Sequence, residues 1–578
     1  MSGASLAFTL GSCLFFMALV GWISWLKTRG TAETKDGYFL AGRGLGATFI
    51  AGSLLLTNLS AEQLTGLNGS AYGHNLSSMG WEVTAAVATI AMALVFLPKY
   101  LAGAFTTLPQ FLNDRFDADV RRLSVLLFML GYGLVTIPGV LYAGSLAVNA
   151  FFDMSALTGL AEFEALVFTV VLIGVVGGIY AVFGGLRAVA VSDTLNGVGL
   201  LIIGILVPVL GLIALGEGSF SAGLAQLTTE HPEKLNAIGS SSDPTPFGTL
   251  FTGMIFANLF YWCTNQYVIQ RTLGARSLAE GQKGVLFSGF FKIMVPFMMM
   301  IPGVIAFHMY GPPSVSGLGS IDQAYPRLIR DVLPLWLSGF FLAVLLGAVF
   351  SSFNSLLNSA ATLFSLDVYA PAKAKARGGE PSDAELVRVA KIASVVIALA
   401  SFVIAPMLSY AEDGLWQVIR KFTGFYNIPT IAIVIVGLFT ARVPALGAKI
   451  AIIFHVIAYW LIRFPLEDVI TLHFIHLYAV LFVIEVAIML VCGRIAPREK
   501  AWKFTRDEKV DLTPWRFARP LAVTLFSCVV ATYLLFSPIG VASVGGMGAT
   551  FATLMSALIA GNLALWGVSL RRGAAKAG

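Results

Sequence analysis

The stretch that decides the fold is Leu54-Leu55-Leu56-Thr57-Asn58-Leu59-Ser60-Ala61-Glu62-Gln63. It lies inside an apolar run, 46–72, that is long enough to cross a bilayer and is interrupted at its centre by the polar residues Thr57 to Gln63. A second run, 247–270, is interrupted by Asn258 and by Cys263-Thr264-Asn265-Gln266. Each interruption opens a group of five apolar runs, 46–215 and 247–440. An odd number of crossings per group inverts the second group relative to the first. Asn58 and Asn258 each sit about a dozen residues into their run, and interrupted helices at matching positions of two inverted repeats mark the substrate and ion site of many secondary transporters.

Working outward, composition supports a membrane setting. Of 578 residues, 57% are hydrophobic and 12% charged, with a mean hydropathy of +0.83. A soluble domain carries roughly 25% charged residues, and a spanning helix needs about 20 apolar residues in a row. Such runs occur at 6–26, 46–72, 76–100, 123–152, 163–184, 189–215, 247–270, 284–309, 335–366, 388–409, 414–440, 446–464, 473–494, 519–537 and 548–570, about fifteen helices. The first, Leu6 to Leu26, is too long for a signal-peptide core and has no basic segment before it, so it reads as a retained helix.

The distribution of Lys and Arg tests this count. With the loop after the first helix placed in the cytoplasm, alternation puts most of the 37 Lys and Arg on that side, the richest segment being 494–519. The opposite loops hold only Lys234, Arg327 and Arg330. One missed span would invert everything after it, so the bias predicts an N-terminus outside (periplasmic) and a C-terminus inside (cytoplasmic). It also accounts for the net charge of +6 without nucleic-acid binding. The expected organisation is an N-terminal helix and loop (1–45), a first repeat (46–215), an outer loop (216–246), an inverted second repeat (247–440) and peripheral helices with a tail (441–578).

Enzyme signatures are missing from the sequence. Cys13, Cys263, Cys492 and Cys528 are scattered through apolar runs, and the six His show no metal-ligand spacing. Gly184-Gly185, expected in a cytoplasmic turn, resembles no phosphate loop. No nucleophile elbow, zinc-helix motif or paired-carboxylate pattern stands out, and no soluble catalytic domain is expected after the last helix.

Charged side chains inside a bilayer cost at least about 2.5–3.5 kcal/mol and persist where they face a cavity or a partner. Glu62, Glu82, Asp193, Lys292 and Glu485 lie well inside the runs, and Arg420 and Lys421 lie a turn or two in from the end of theirs. Lys292, in Phe290-Phe291-Lys292-Ile293-Met294, has no local counter-charge and needs one from another helix or from a polar ligand. Glu62 and Gln63 are neighbours, about 100° apart on a helix, so only one can face a given site. Ser351-Ser352 begins a polar run that continues through Ser355 and Asn358. Two adjacent hydroxyls facing the carbonyls of a broken helix form the neutral oxygen shell that a hard monovalent cation prefers, though Ser-lined helix packing explains the run as well.

Several stretches resemble the sodium/solute symporter family, and within it the sodium–glucose cotransporter branch. They are Asn58-Leu59-Ser60-Ala61-Glu62-Gln63, Trp81-Glu82, Gly184 to Val189, Ser192-Asp193, Asn258 to Trp262, Asn265-Gln266, Gln270-Arg271-Thr272-Leu273, and Ser351-Ser352 through Asp367-Val368-Tyr369. They run in family order over roughly 40–440. The resemblance implies an all-α, LeuT-type core of five plus five helices with one helix before it and about four after. It implies a sodium site from the carbonyls of Leu56, Leu59 and Ala348 and the hydroxyls of Ser351 and Ser352. It implies sugar contacts from Gln63, Glu82, Asn258 and Lys292, an inner gate at Tyr261, an outer gate at Trp416, and Asp193 on the inner sodium path. Sodium is then the coupling ion, the bilayer the surroundings, and a bacterial inner membrane the expected location, with no obligate protein partner evident.

The chain departs from the family pattern in two places. Arg420 stands where the sugar transporters of the family carry Gln. A guanidinium suits carboxylate, sulfate or phosphate, so an acidic or sulfated sugar is one reading, and pairing with Glu82 or Asp413 around a neutral sugar is the other. The last helix, 548–570, lies beyond the usual family ending and is expected on the periphery. A second sodium site from Asp193, Ser351 and Ser355 is conceivable, although Asn354 replaces an expected hydroxyl. The alternatives to a sugar symporter are a sodium symporter for a vitamin or amino acid and, more remotely, a membrane sensor.

Overall fold

The fold was analysed in a computed structural model. It describes the chain except residues 1–2, 29–33, 153, 319, 378, 411–413, 505–509 and 575–578. For some helical residues, among them 61–62, 180–185, 414–418 and 420–421, it describes the backbone alone.

Apolar runs of spanning length become helices because lipid offers the backbone no other hydrogen-bond partner. They are α1 (Gly3–Thr28), α2 (Ala47–Asn58), α3 (Ala61–Gly73), α4 (Leu76–Ala102), α5 (Ala118–Asn149), α6 (Glu162–Ile179), α7 (Leu186–Leu215), α8 (Gly253–Cys263), α9 (Gln266–Leu273), α10 (Leu278–Tyr310), α11 (Leu335–Ala376), α12 (Asp383–Tyr410), α13 (Gly414–Phe439), α14 (Ala445–Arg463), α15 (Phe474–Ile495), α16 (Ala518–Leu535) and α17 (Ala549–Ala574). Pairs α2/α3 and α8/α9 are each one span broken in the middle. With them, the thirteen helices long enough to cross give fifteen crossings among the described residues.

The sequence reading misplaces several helix starts. The spans expected from 123, 284 and 388 begin instead at Ala118, Leu278 and Asp383. In each case a polar first turn, invisible to hydropathy, is fixed by a cap. Asp117 accepts from the Asp119 and Val120 N–H groups. Ser277 accepts from Glu280 N–H and Ser382 from Glu385 N–H, both within the Ser-x-x-Glu spacing of a capping box.

The turn expected at Gly184-Gly185 falls on residues whose side chains lie outside the described set, and the backbone is helical throughout Glu162–Leu215. Gly177 packs on Phe350 and Phe353 of α11, while Asn196 packs on Gly347. Both α6 and α7 therefore lie along the same turns of α11, and the segment counts as two crossings.

α11 is the axis of the bundle, with 89% of its apolar window buried, whereas the corresponding window of α17 has none. α17 leans on α16, where Trp566 Nε1 donates to Thr524 Oγ1 at 2.9 Å. Close packing uses small residues, since lipid provides no hydrophobic drive between helices. A Cβ on Gly52 of α2 would lie 2.7 Å from the Thr194 hydroxyl of α7, and one on Gly303 would lie 2.2 Å from the Asn68 carbonyl.

Buried Arg115 ties the end of α13 to the start of α14. Its guanidinium donates to the carbonyls of Gly437 (2.9 Å), Thr440 (3.0 Å) and Val443 (3.2 Å). An unsatisfied buried polar group costs about 1–3 kcal/mol. Arg115→Met is therefore expected to lower stability by about 2–4 kcal/mol, read as a fall in the thermal unfolding midpoint in detergent.

Candidate functional site

Both predicted interruptions are real breaks. α2 ends at Asn58, Leu59 and Ser60 are non-helical (φ −90°, ψ 86° and φ −92°, ψ 170°), and α3 begins at Ala61. α8 ends at Cys263, and Thr264 and Asn265 lead into α9. A helix end leaves its last carbonyls without intrahelical donors, so the Leu56 to Leu59 joint turns carbonyl oxygens towards other partners.

Two groups of predicted residues assemble around the joint. On one side, the hydroxyl of Ser352 in α11 donates to the Thr57 carbonyl at 3.4 Å. Asn58 Oδ1 and Ser60 Oγ are buried without a hydrogen-bond partner among the described residues, and the Ser351 hydroxyl is buried beside the Asp193 carboxylate. Ala348 stands one turn before Ser352 on the same helix and is fully buried. Neutral, buried, under-satisfied oxygens from a broken helix and a facing Ser pair fit a sodium ion well.

On the other side lies a cavity of about 150 Å³, bounded by α2/α3, α4, α8, α10 and α13. An engineered cavity of similar size holds benzene, so one small ring fits here. Gln63, Glu82, Asn258 and Lys292 line it, together with Ser60, Tyr261 and Ser352. The counter-charge that Lys292 needs is Glu82: the two form an ion pair, with side chains 2% and 5% exposed. Gln63 Nε2 donates to the other Glu82 oxygen at 3.2 Å. Asn258 Nδ2 donates to Thr84 Oγ1 at 2.9 Å. Lys292 also faces the Trp262 ring, 5.7 Å from its centroid. Tyr261 accepts from the Tyr267 hydroxyl at 2.8 Å, which holds the expected inner gate against the second break.

Asp193 and Ser355 meet next to the joint, where the Ser355 hydroxyl lies 3.3 Å from that of Thr57. Ser53 donates to Asp193 Oδ2 at 2.6 Å and accepts from Arg271 Nε at 2.9 Å. Arg271 Nη2 lies 3.8 Å from Asp193 and bonds to Ser355, and Nη1 bonds to the Tyr267 carbonyl. A guanidinium thus stands between Asp193 and Ser355, two of the three residues considered for a second ion. Sequence reasoning quoted Arg271 but gave it no role. The signal was present, since a buried cation needs a carboxylate and Asp193 is the intramembrane Asp. The contributions of Trp262, Tyr426 and Asn427 to the cavity were also missed, because aromatic and amide residues in apolar runs look like packing. The side chains of Arg420, Trp416 and Glu62 lie outside the described residues, as does Asp413 entirely.

Residues 38–454 match the sodium:solute symporter family. The chain belongs to that family. It is 44% identical, over 94% of its length and 93% of the relative's, to an Escherichia coli (strain K12) protein called uncharacterized symporter YidK. It is 32% identical to the sodium/glucose cotransporter of Vibrio parahaemolyticus, over 75% of this chain and 80% of that one. Its fold matches the substrate-bound, outward-open structure of a Na+-coupled sialic acid symporter with a TM-score of 0.72, covering 85% of this chain and 98% of the other at 22% identity. The symporter core is therefore LeuT-type, the protein is a multi-pass sodium-coupled secondary transporter, and it is not an enzyme.

In this symporter Glu82 and Lys292 hold each other in the membrane. Removing one partner of a buried pair costs about 3–5 kcal/mol, because the other charge is left uncompensated. Lys292→Met is expected to lower the thermal midpoint by a corresponding amount, and the double change Glu82→Gln/Lys292→Met to recover most of it. Equal losses in the single and double variants would show that the pair is not what holds these charges.

Proposed function

We propose that the protein carries a sugar or sugar derivative into the cell together with sodium, by alternating access. The observation behind this reading is the Gln63–Glu82–Lys292 array beside Asn258. It offers both donors and acceptors on one wall, with Trp262 and Tyr261 flanking it. Such a mixture suits a solute bearing several hydroxyls, and the Vibrio parahaemolyticus relative is named for glucose and others for myo-inositol. In this reading sodium is held by the Leu56, Leu59 and Ala348 carbonyls and the Ser351 and Ser352 hydroxyls, and it draws the α2/α3 joint onto α11. Ser60 and Gln63 follow within a turn of the same joint and face the solute. Ion and solute thus favour one arrangement of one segment, and that shared preference is what coupling requires. Tyr261 closes the inner side and Trp416 the outer.

Arg271 already supplies a cation to Asp193 and Ser355, which supports one sodium per cycle. Glu82 is the one acidic residue among the described groups lining the cavity and is neutralised by Lys292. A guanidinium from Arg420 beside it would suit an acidic or sulfated sugar; pairing of Arg420 with Asp413 around a neutral sugar is the other reading. The Lys and Arg bias supports an N-terminus outside and a C-terminus inside, and the bacterial relatives support an inner-membrane location. Each inward sodium charge gains about 2.3 kcal/mol per 100 mV of membrane potential.

In proteoliposomes, Ser352→Ala is expected to raise the half-saturating sodium concentration about tenfold, the loss of one oxygen contact to a charged group. Gln63→Ala is expected to abolish uptake while leaving sodium-induced thermal stabilisation intact. D-glucuronate and glucose 6-sulfate should compete for sodium-driven uptake better than D-glucose. Full-rate glucose transport without such competition would overturn the anionic reading, and sodium-independent uptake would overturn coupling at this site.

A further inference from the structure

His455 of α14 and Glu485 of α15 are both fully buried, and both lie beyond the 38–454 stretch that matches the family. His455 Nδ1 meets Glu485 Oε1, and Nε2 lies 2.9 Å from the Gly424 carbonyl of α13. A carbonyl can only accept, so Nε2 must carry hydrogen. The Nδ1 contact then holds one further proton, on nitrogen as imidazolium facing carboxylate or on oxygen as carboxylic acid facing imidazole. Either way the pair is neutral overall, as burial in the bilayer demands, and the imidazole is locked with its Nε2–H towards α13.

Gly424 is where α13 is open to such a grip. Pro429 lies within the helix and cannot donate to the Phe425 carbonyl, which weakens the ladder just beyond. Ile428 N–H lies against the Asn427 side-chain oxygen at 2.6 Å. Any side chain at 424 would collide with Tyr459 of α14, whose hydroxyl lies 2.1 Å from where its Cβ would be. The Tyr459 ring stacks on His455 and fixes the plane of the imidazole. Thr423, Tyr426 and Asn427, one to three positions from Gly424, line the central cavity.

We propose that His455 and Glu485 are positioning residues for the transport cycle: from the peripheral helices they clasp α13 at Gly424 and set the wall that it presents to the solute. This rests on the reading that the central cavity takes the solute, but its test needs no solute. The probe is a membrane-impermeant methanethiosulfonate applied to Asn427→Cys, with the four native cysteines as background. In a His455→Ala background the labelling rate should change about tenfold, the effect of losing a hydrogen bond to a polarised partner. The rate at Ser60→Cys, on the opposite wall, should stay within about twofold.

Glu485→Gln should leave Asn427→Cys labelling at the parental rate, because the amide can donate to Nδ1 and keep Nε2–H on the carbonyl. Glu485→Ala should change it as His455→Ala does, because the imidazole then loses the Nδ1 partner that holds its ring against Gly424. Sodium-induced thermal stabilisation reports that each variant is folded. If His455→Ala fails that check, the Glu485→Gln and Glu485→Ala pair decides. Unchanged labelling in both His455→Ala and Glu485→Ala would overturn the clasp, as would an equal change at Ser60→Cys. Failure of the cavity reading would show separately, as undiminished uptake in Gln63→Ala.

Discussion

In hydrocarbon every peptide group needs a partner, and a carbonyl without one is expensive. That constraint makes this chain a set of helices, and it makes any interruption of a helix meaningful. The two interrupted spans spend their unpaired backbone at the centre of the bundle, where serines of α11 and a polar cavity receive it. The Leu59-Ser60 joint stands between those two environments. The carbonyls before it face the Ser351–Ser352 pair, and Ser60 and Gln63 after it face the cavity. In the proposed mechanism, ion and solute influence one another by acting on this one short, non-helical piece of chain.

The same dielectric penalty organises the intramembrane charges. Glu82 is held by Lys292, Asp193 by Arg271 with Ser53, and His455 by Glu485. Nearer the end of α11, Asp367 is met by Arg121 at 2.7 Å and by Thr107 at 2.8 Å. Each pair joins separate helices, so each works as a neutral crosslink as well as a chemical group. Among them, Glu82–Lys292 borders the cavity directly.

Much of this was legible in the residues. Span count follows from hydropathy and the Lys and Arg bias, and the broken helices follow from polar residues at matched depths. Gln63, Glu82, Asn258 and Lys292 do converge on one cavity. Helix starts were less legible, because hydropathy begins at the first apolar residue, whereas the helix begins at its cap, as at Asp117, Ser277 and Ser382. Gly184-Gly185, Trp416 and Arg420 fall on side chains outside the described set, so their expected roles rest on sequence alone.

The sequence by itself determined that the chain crosses a membrane, where its helices break, and which residues are too polar to lie there unpartnered, because those properties follow from local composition and the cost of burying charge. Only the tertiary structure decided the partners. Lys292 answers Glu82 from 210 positions away, Arg271 fills the space between Asp193 and Ser355, and His455 reaches both Glu485 and the Gly424 carbonyl. Pairing depends on which helix faces which, and that is set by close packing at residues such as Gly52, Gly303 and Gly424, a property of the whole bundle that no stretch of sequence carries alone.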